Sequence, residues 1–184
     1  MSRLALVRDP RFLNHITPDA HPESPQRLAA IDSAFLKAAL DNSVRQLEPR
    51  SAVEEEIAYV HKVAYIQHLQ EDALKAAANH NLVQLDADTF MSAATYDIAK
   101  LAAGAGLTAL DAMKAGEYDS AFVSVRPPGH HALVDKPMGF CLFNNIAVGA
   151  RAALVEQRLD RVLVIAWDVH PGNGTQDEFY EDEQ

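Results

Sequence analysis

The stretch Arg161-Val-Leu-Val-Ile-Ala-Trp-Asp168-Val-His170-Pro-Gly-Asn-Gly174 decides how the whole chain reads. Its first half is apolar and β-branched, the pattern of a strand buried on both faces of a parallel sheet. Polarity changes abruptly at Asp168. Side chains alternate along a strand, so Ala166, Asp168 and His170 are expected on one face, where the apolar run ends and a Gly-Asn-Gly loop begins. In open α/β sheets the carboxyl ends of strands and the loops after them build the sites. A carboxylate beside an imidazole suits a borderline cation such as zinc, whereas the plain reading of an Asp-x-His tripeptide on its own is a solvated loop.

The same pattern occurs upstream. Ala121-Phe-Val-Ser-Val125 reads as a buried strand whose end runs into Arg126-Pro-Pro-Gly-His130-His131. Asn145 to Gln157 follows as a helix carrying Ile146, Ala150, Ala153 and Leu154 toward a sheet. Strand, helix and strand in this order predict a βαβ unit with a parallel pair. The two strand ends then share an edge, so His130, His131, Asp168 and His170 converge. A zinc-bound water needs a base to take its proton and a donor to steady a developing oxyanion, and paired histidines can divide those tasks. Without the Asp-x-His, His130-His131 would read as a polar loop after a Pro-Pro turn; two such motifs at two strand ends reverse the balance.

The rest of the chain supplies layers. Leu4 to Val7 reads as a first strand, and Ser24 before Pro25 opens an amphipathic helix carrying Leu28, Ile31 and Phe35. Val44 to Leu47 reads as a second strand, and Ser51 with Glu54 as a capping box. A helix is expected from about Ala64 to Ala78, and Leu82 to Leu85 as an extended piece leading to Asp86-Ala-Asp88-Thr-Phe90. From Ser92 the longest helix runs to a cap at Gly116. Inside it Gly104-Ala-Gly106-Leu-Thr-Ala109 imitates a dinucleotide fingerprint, but that motif must follow a strand and open a helix. Its glycines read instead as sites of close packing. Thr175 and Glu178 form a last capping box, after which the chain stops among acidic residues and reads as truncated.

Composition bounds the class. A chain of 184 residues, 48% hydrophobic and 23% charged, suits one globular domain with a substantial core. Its formal charge of −10 disfavours binding to nucleic acid, so no direct nucleic-acid partner is expected. Cys141 is the single cysteine, which excludes an intrachain disulfide. The longest apolar run, Val162 to Trp167, is too short to cross a bilayer, and Arg3, Arg8 and Asp9 interrupt any leader-like start. No membrane partner and a cytoplasmic location are expected; the oligomeric state stays open.

Taken together, these residues resemble the zinc-dependent histone deacetylase and acetylpolyamine amidohydrolase superfamily. The match covers His21-Pro-Glu-Ser-Pro-Gln-Arg-Leu28, Val60-His61 with Tyr65-Ile66, and Asp88-Thr-Phe90. It continues through Arg126-Pro-Pro-Gly-His-His-Ala132, Gly139-Phe-Cys-Leu-Phe-Asn-Asn145, and Asp168-Val-His170 with Gly172-Asn-Gly-Thr-Gln176. The motifs run in family order over nearly all of the chain and look most like the class II and bacterial members, which favour Asn at position 173. The resemblance implies an arginase-like three-layer α/β fold with a central parallel sheet, of which residues 1–184 are the N-terminal part of a single catalytic domain, ending after the central strands. It implies removal of acetyl or acyl groups from acetylated lysine or polyamine-like substrates. By the same resemblance Asp168 and His170 match zinc ligands, and a structural monovalent cation is a further cofactor. His130 and His131 match the catalytic pair, with the second as general base. Asp88 matches the rim carboxylate that holds the substrate backbone, and Gly139 with Phe140 the wall of the acyl-lysine tunnel.

Three departures qualify the resemblance. The family's third zinc-binding aspartate and its oxyanion-steadying Tyr or His lie further along than this sequence reaches. Position 166, where the family carries an aspartate that orients the first histidine of the pair, is Ala166. Position 171, usually a histidine, is Pro171, which restricts His170 to an extended backbone. Two functions follow as alternatives: a zinc amidohydrolase, or an impaired member that binds acyl-lysine or polyamine ligands without turning them over. An arginase-type hydrolase with two metals would need further carboxylates in the Asp-x-His loop, and Asn173 argues against it.

Overall fold

The computed structural model of the chain describes residues 3–38 and 44–183. In chain order, β1 (Leu4–Val7) leads through a 3-10 turn at Pro10–Asn14 to α1 (Pro25–Lys37), β2 (Arg45–Leu47), α2 (Glu54–Ile57) and α3 (Val63–Asn79). There follow β3 (Val83–Gln84), β4 (Phe90–Met91), α4 (Thr95–Lys114), β5 (Ser120–Val123), α5 (Asn145–Val155) and α6 (Asn173–Phe179). A parallel sheet orders these strands β2-β1-β5, with Val7 opposite Leu47 on one side and Val123 on the other. β3 and β4 pair antiparallel as a separate ribbon.

The central place of β1 follows from its composition. Ala5, Leu6 and Val7 are all buried, as an apolar run covered on both faces of a parallel strand must be. One apolar cluster joins Val7 to Phe12, Leu28, Ile98, Leu101 and Ala105. A second joins Ile57, Ile66, Leu69, Ala99, Ala103, Leu107, Phe143 and Val148. α4 contributes to both, which its periodic sequence anticipates: it is apolar on more than one face because elements press on it from more than one side. Small residues bring those neighbours close. A Cβ on Gly104 would fall 2.0 Å from the Arg50 carbonyl oxygen and 2.5 Å from the Ala52 amide nitrogen, so this glycine is a packing residue and not part of a nucleotide loop. Gly116, with φ +72°, ends the helix as expected.

The stretch Arg161 to Trp167 departs from expectation. It forms no regular element and belongs to no sheet. Among the described residues β5 pairs with β1 alone, and the predicted βαβ pair is not formed. Alternation survives without pairing: Val162 and Val164 are half-buried against α5 and α6, while Leu163 is 83% and Trp167 88% exposed. The physical reason is that a parallel strand needs a ladder at its edge and cover on both faces, and the described residues cover this segment on one face only. Two caps also differ. At α2 the carboxylate that accepts the Val53 amide, at 2.8 Å, is Glu56 and not a Ser51–Glu54 pair. α6 begins at Asn173, two residues before Thr175, whose hydroxyl instead meets Asn144.

Candidate active site

One pocket, about 490 Å³, is built by five loops and the turns that hold them. Asp88, His130, His131, Gly139, Phe140, Asp168 and His170 all line it, together with Pro22, Glu23, Arg27 and Pro128. The sequence expectation that four strand-end residues converge therefore holds even though the second strand is not in the sheet. What brings Asp168 and His170 to the pocket is the turn at 168–170 and the anchoring of α6, not a β-ladder. The Thr175 amide donates to the His130 carbonyl at 3.1 Å. A Cβ on Gly174 would lie 2.2 Å from the Ala132 carbonyl oxygen, so only glycine lets the start of α6 press this closely on the histidine loop. Arg151 of α5 then clasps α6 through Glu178 at 2.8 Å and through Asp182.

The two adjacent histidines sit with ring centroids 4.0 Å apart, and the His131 ring lies 6.2 Å from that of His170. Nδ1 of His131 is 2.6 Å from Oδ1 of Asn173. An amide oxygen can only accept, so Nδ1 of His131 is the donor in this contact, which leaves Nε2 as the ring nitrogen that faces away from Asn173. His130 is pushed below the ordinary imidazole value, first by burial and then by the charge of His131, against a smaller pull from Asp168. Gly139, at φ +55°, passes directly beneath the His131 ring, where a Cβ would come within 2.5 Å of Cδ2. Phe140 is also at positive φ, 69°, and its amide donates to the Thr89 hydroxyl at 3.1 Å. That bond ties the Gly139-Phe140 wall to the Asp88-Thr89 rim.

Asp168 and His170 face one another: Oδ1 of Asp168 accepts from the His170 backbone amide at 2.8 Å and lies 3.0 Å from Nδ1 of the same residue. The amide bond, then the imidazole, hold the Asp168 carboxyl below its usual range. Two ligand atoms on a tetrahedral zinc with bonds near 2.0 Å lie about 3.3 Å apart, so this pair suits the ion in kind and in spacing. It fills two positions. Among the described residues no group of three His, Cys, Asp or Glu is arranged to hold a metal. Ala166 does not share a face with the pair, as strand alternation would have it. With Val162, Val164 and Pro171 it lines an apolar pocket between α5 and α6, because the turn at 168–170 rotates the chain after Trp167.

Sequence reasoning gave no role to several residues that shape the site. Glu23 and Arg126 form a buried bidentate pair, at 2.5 and 2.7 Å, between the pocket wall and the start of the histidine loop. His61 bridges the same region, with Nδ1 2.9 Å from the Leu133 carbonyl and Nε2 accepting the Asn144 amide at 2.9 Å. His21 lies 3.0 Å from the Asp88 carbonyl and edge-on to Phe140 at 4.8 Å. Each belongs to a motif carried by the resemblance, but hydrogen-bond partners 67 to 103 residues apart leave no local periodicity to read.

Residues 21–184 match the model of the histone deacetylase domain, and the chain belongs to that family. It is 38% identical to histone deacetylase 10, chloroplastic, of Oryza sativa subsp. japonica, covering 96% of this chain and 44% of that protein. It is 40% identical to the histone deacetylase-like amidohydrolase of Pseudomonas aeruginosa, over 87% of this chain and 41% of that one. The crystal structure of the HDA15 HD domain superposes with a TM-score of 0.87 at 33% identity, covering 99% of this chain and 52% of that chain. The fold is thus the arginase-like α/β fold that the motifs implied, and the chain spans about half the length of the relatives it matches.

Proposed function

We propose that this pocket belongs to a zinc-dependent amidohydrolase that releases acetyl or acyl groups from lysine or polyamine-like amines. The observation that carries the reading is the joint lining of one pocket by a carboxylate–imidazole pair, an adjacent histidine pair, and a wall of Gly139 and Phe140 with Asp88 at its rim. Zinc in such a site polarises an amide carbonyl and lowers the pKa of water. Asp168 and His170 would hold it. His131, with Nδ1 engaged by Asn173, presents the Nε2 lone pair that a general base requires. His130, kept toward its neutral form by burial, stands beside it to exchange a proton with the leaving amine. Phe140 offers an apolar wall to an acyl-lysine stem, and Asp88 offers a carboxylate to amides at the mouth.

A second reading, a ligand-binding member without turnover, is favoured by a separate observation. Asp168 and His170 are satisfied by each other, and no third donor joins them among the described residues. One comparison separates the two. The chain alone, and the chain joined to the second half of the Pseudomonas aeruginosa relative, are dialysed against metal-free buffer and assayed for zinc and for release of acetate from an acetyl-lysine peptide. Two ligands should hold zinc weakly and well below one per molecule, while the joined chain binds one equivalent, lost with His170→Ala, and turns over. Stoichiometric zinc in the joined chain without acetate release supports the binding module; zinc that persists after His170→Ala removes this residue from the site.

A further inference from the structure

Arg126 is wholly buried, and so is the carboxylate it meets. Its Nε and Nη2 donate to the two oxygens of Glu23 at 2.5 and 2.7 Å, and Nη1 donates to the Phe12 carbonyl at 3.1 Å. Glu23 takes a further contact from Arg27 at 3.2 Å and lies 3.5 Å from Nε2 of His15. Burial raises the Glu23 carboxyl, but the bonds and charge of Arg126, then of His15 and Arg27, outweigh it and keep it ionised. A desolvated pair of this kind is weak evidence for stability, because its desolvation offsets most of its attraction. Its geometry is the more informative property. The guanidinium fork fixes a plane, and the Phe12 carbonyl removes the remaining freedom.

That fixed plane is four residues from His130. Pro127 and Pro128 lie between, each with a restricted φ. Gly129 is wedged so tightly that a Cβ would fall 2.5 Å from the Asn145 amide and 2.8 Å from the Phe143 carbonyl oxygen. Few soft torsions remain between the guanidinium and the imidazoles. At the far end the loop is held by Thr175 on the His130 carbonyl and Asn173 on the His131 ring. Glu23 itself lines the pocket, so the pair also sets the distance between the pocket wall and the histidines.

We propose that Glu23 and Arg126 are a positioning pair for His130 and His131, which lock the histidine loop in a single arrangement against the pocket wall. The proposal rests on reading these histidines as the working groups of the site. It needs neither metal nor turnover to be tested. In the 184-residue chain labelled at histidine, the ring signals of His130 and His131 should be single and sharp. In Glu23→Gln/Arg126→Met both charges are gone and the volume is largely kept, a change that buried pairs often tolerate. The double variant should melt cooperatively, yet the His130 and His131 signals should split or broaden severalfold, while those of the exposed His68 and His80 stay as they were. Arg126→Lys, which keeps charge but not the fork, should restore only part of the sharpness. Leu69→Ala, a buried truncation in α3, should lower the melting temperature without broadening either ring. Sharp His130 and His131 signals in a folded double variant, or equal broadening in Leu69→Ala, would overturn the assignment. Failure of the chain to hydrolyse any acyl amide would leave these spectra unchanged, so the two readings fail separately. Should the double variant not fold, the comparison of Arg126→Lys with Leu69→Ala decides by the same criterion.

Discussion

Gly104 and Gly106 stand two residues apart in α4, and the structure gives them opposite tolerances for one methyl group. In a helix interior Gly→Ala is ordinarily stabilising by about 1 kcal/mol, because alanine restricts the unfolded chain and suits the helix. At Gly106 nothing opposes this: the nearest atom to an added Cβ is the Asn145 carbonyl oxygen at 3.9 Å, an ordinary contact. At Gly104 the new atom would lie 2.0 Å from the Arg50 carbonyl oxygen, 2.5 Å from the Ala52 nitrogen and 2.7 Å from the Ser51 carbonyl carbon. All three are backbone, so no rotamer change relieves them. The backbone they form must retreat, although the Ala52 amide is bound to the Lys100 carbonyl at 3.0 Å and Arg50 to Glu56 at 2.7 Å. Overpacking of this kind costs about 3 kcal/mol or more, which leaves Gly104→Ala destabilised by about 2 kcal/mol after the helix gain. For a domain of this size 1 kcal/mol moves the melting temperature by roughly 2–4 °C, so Gly104→Ala should melt about 4–8 °C lower and Gly106→Ala about 2–4 °C higher. Thermal unfolding of the two variants beside the parent tests this directly. A Gly104→Ala chain as stable as the parent would show that α4 and the 50–52 turn are not in the contact described, and with it the assignment of these glycines to packing would fall.

Three further outcomes are expected. His61 is buried and neutral, its pKa lowered to about 4 by burial; its stabilisation is therefore complete above the unfolded value near 6.5 and is lost as pH falls toward 4. Between pH 7.5 and 5 that loss amounts to about 2 kcal/mol, so urea midpoints should fall across this window and His61→Gln should flatten part of the slope; an unchanged slope in the variant would mean His61 is not held neutral. His15, likewise lowered to about 4 mainly by burial, should add a comparable acid sensitivity, visible as a shallower fall in His15→Gln and absent if its ring is solvated. The exposed alternation of Leu163, Ile165, Trp167 and Val169 should make the chain associate: light scattering should report species above the monomer mass, which Leu163→Glu/Trp167→Glu reduces, and a strictly monomeric parent at high concentration would contradict it.

What could be read without coordinates was whatever short-range pattern decides. The strands at Leu4 and Ala121, the helix opened at Pro25 and the long alanine-rich helix all lie close to where periodicity put them, because their partners are the ordinary faces of a layered fold; the Ala121 strand, expected buried, runs Ser120–Val123 and is half-exposed. That His130, His131, Asp168 and His170 line one pocket was anticipated from two apolar runs ending on one sheet edge, but only the first run is in the sheet, and the second pair arrives through α6 instead. The caps were less legible. Ser51–Glu54 and Thr175–Glu178 have the right spacing for a box, yet Glu56 takes the first role and Asn144 claims the Thr175 hydroxyl, since a local motif competes with any tertiary partner that reaches it first. The Glu23–Arg126 pair was beyond reach altogether, as its members are 103 positions apart and each alone reads as a surface charge.

The stretch Arg161 to Gly174 shows why pattern and pairing are different kinds of information. An apolar β-branched run states that a segment prefers to be extended and covered; it does not state by what. In Val162 to Trp167 burial alternates, and Val162 and Val164 find α5 and α6, but among the described residues no ladder forms along its edges and Leu163 and Trp167 remain in solvent. The site nevertheless assembles, because its two halves are joined by contacts that do not pass through the strand: Thr175 to the His130 carbonyl, Asn173 to His131, and Gly174 against Ala132. α6 is thus the element that delivers Asp168 and His170 to the histidine pair, and the segment before it sets their approach only by tethering them. This distinction has a consequence for Ala166. Measured along a ladder it would lie on the face of Asp168 and His170; measured in the structure it lines the apolar pocket beside Val164. A carboxylate placed there meets α5 and α6 before it can meet His130, so the orienting of His130 in this chain falls to the loop's own anchors.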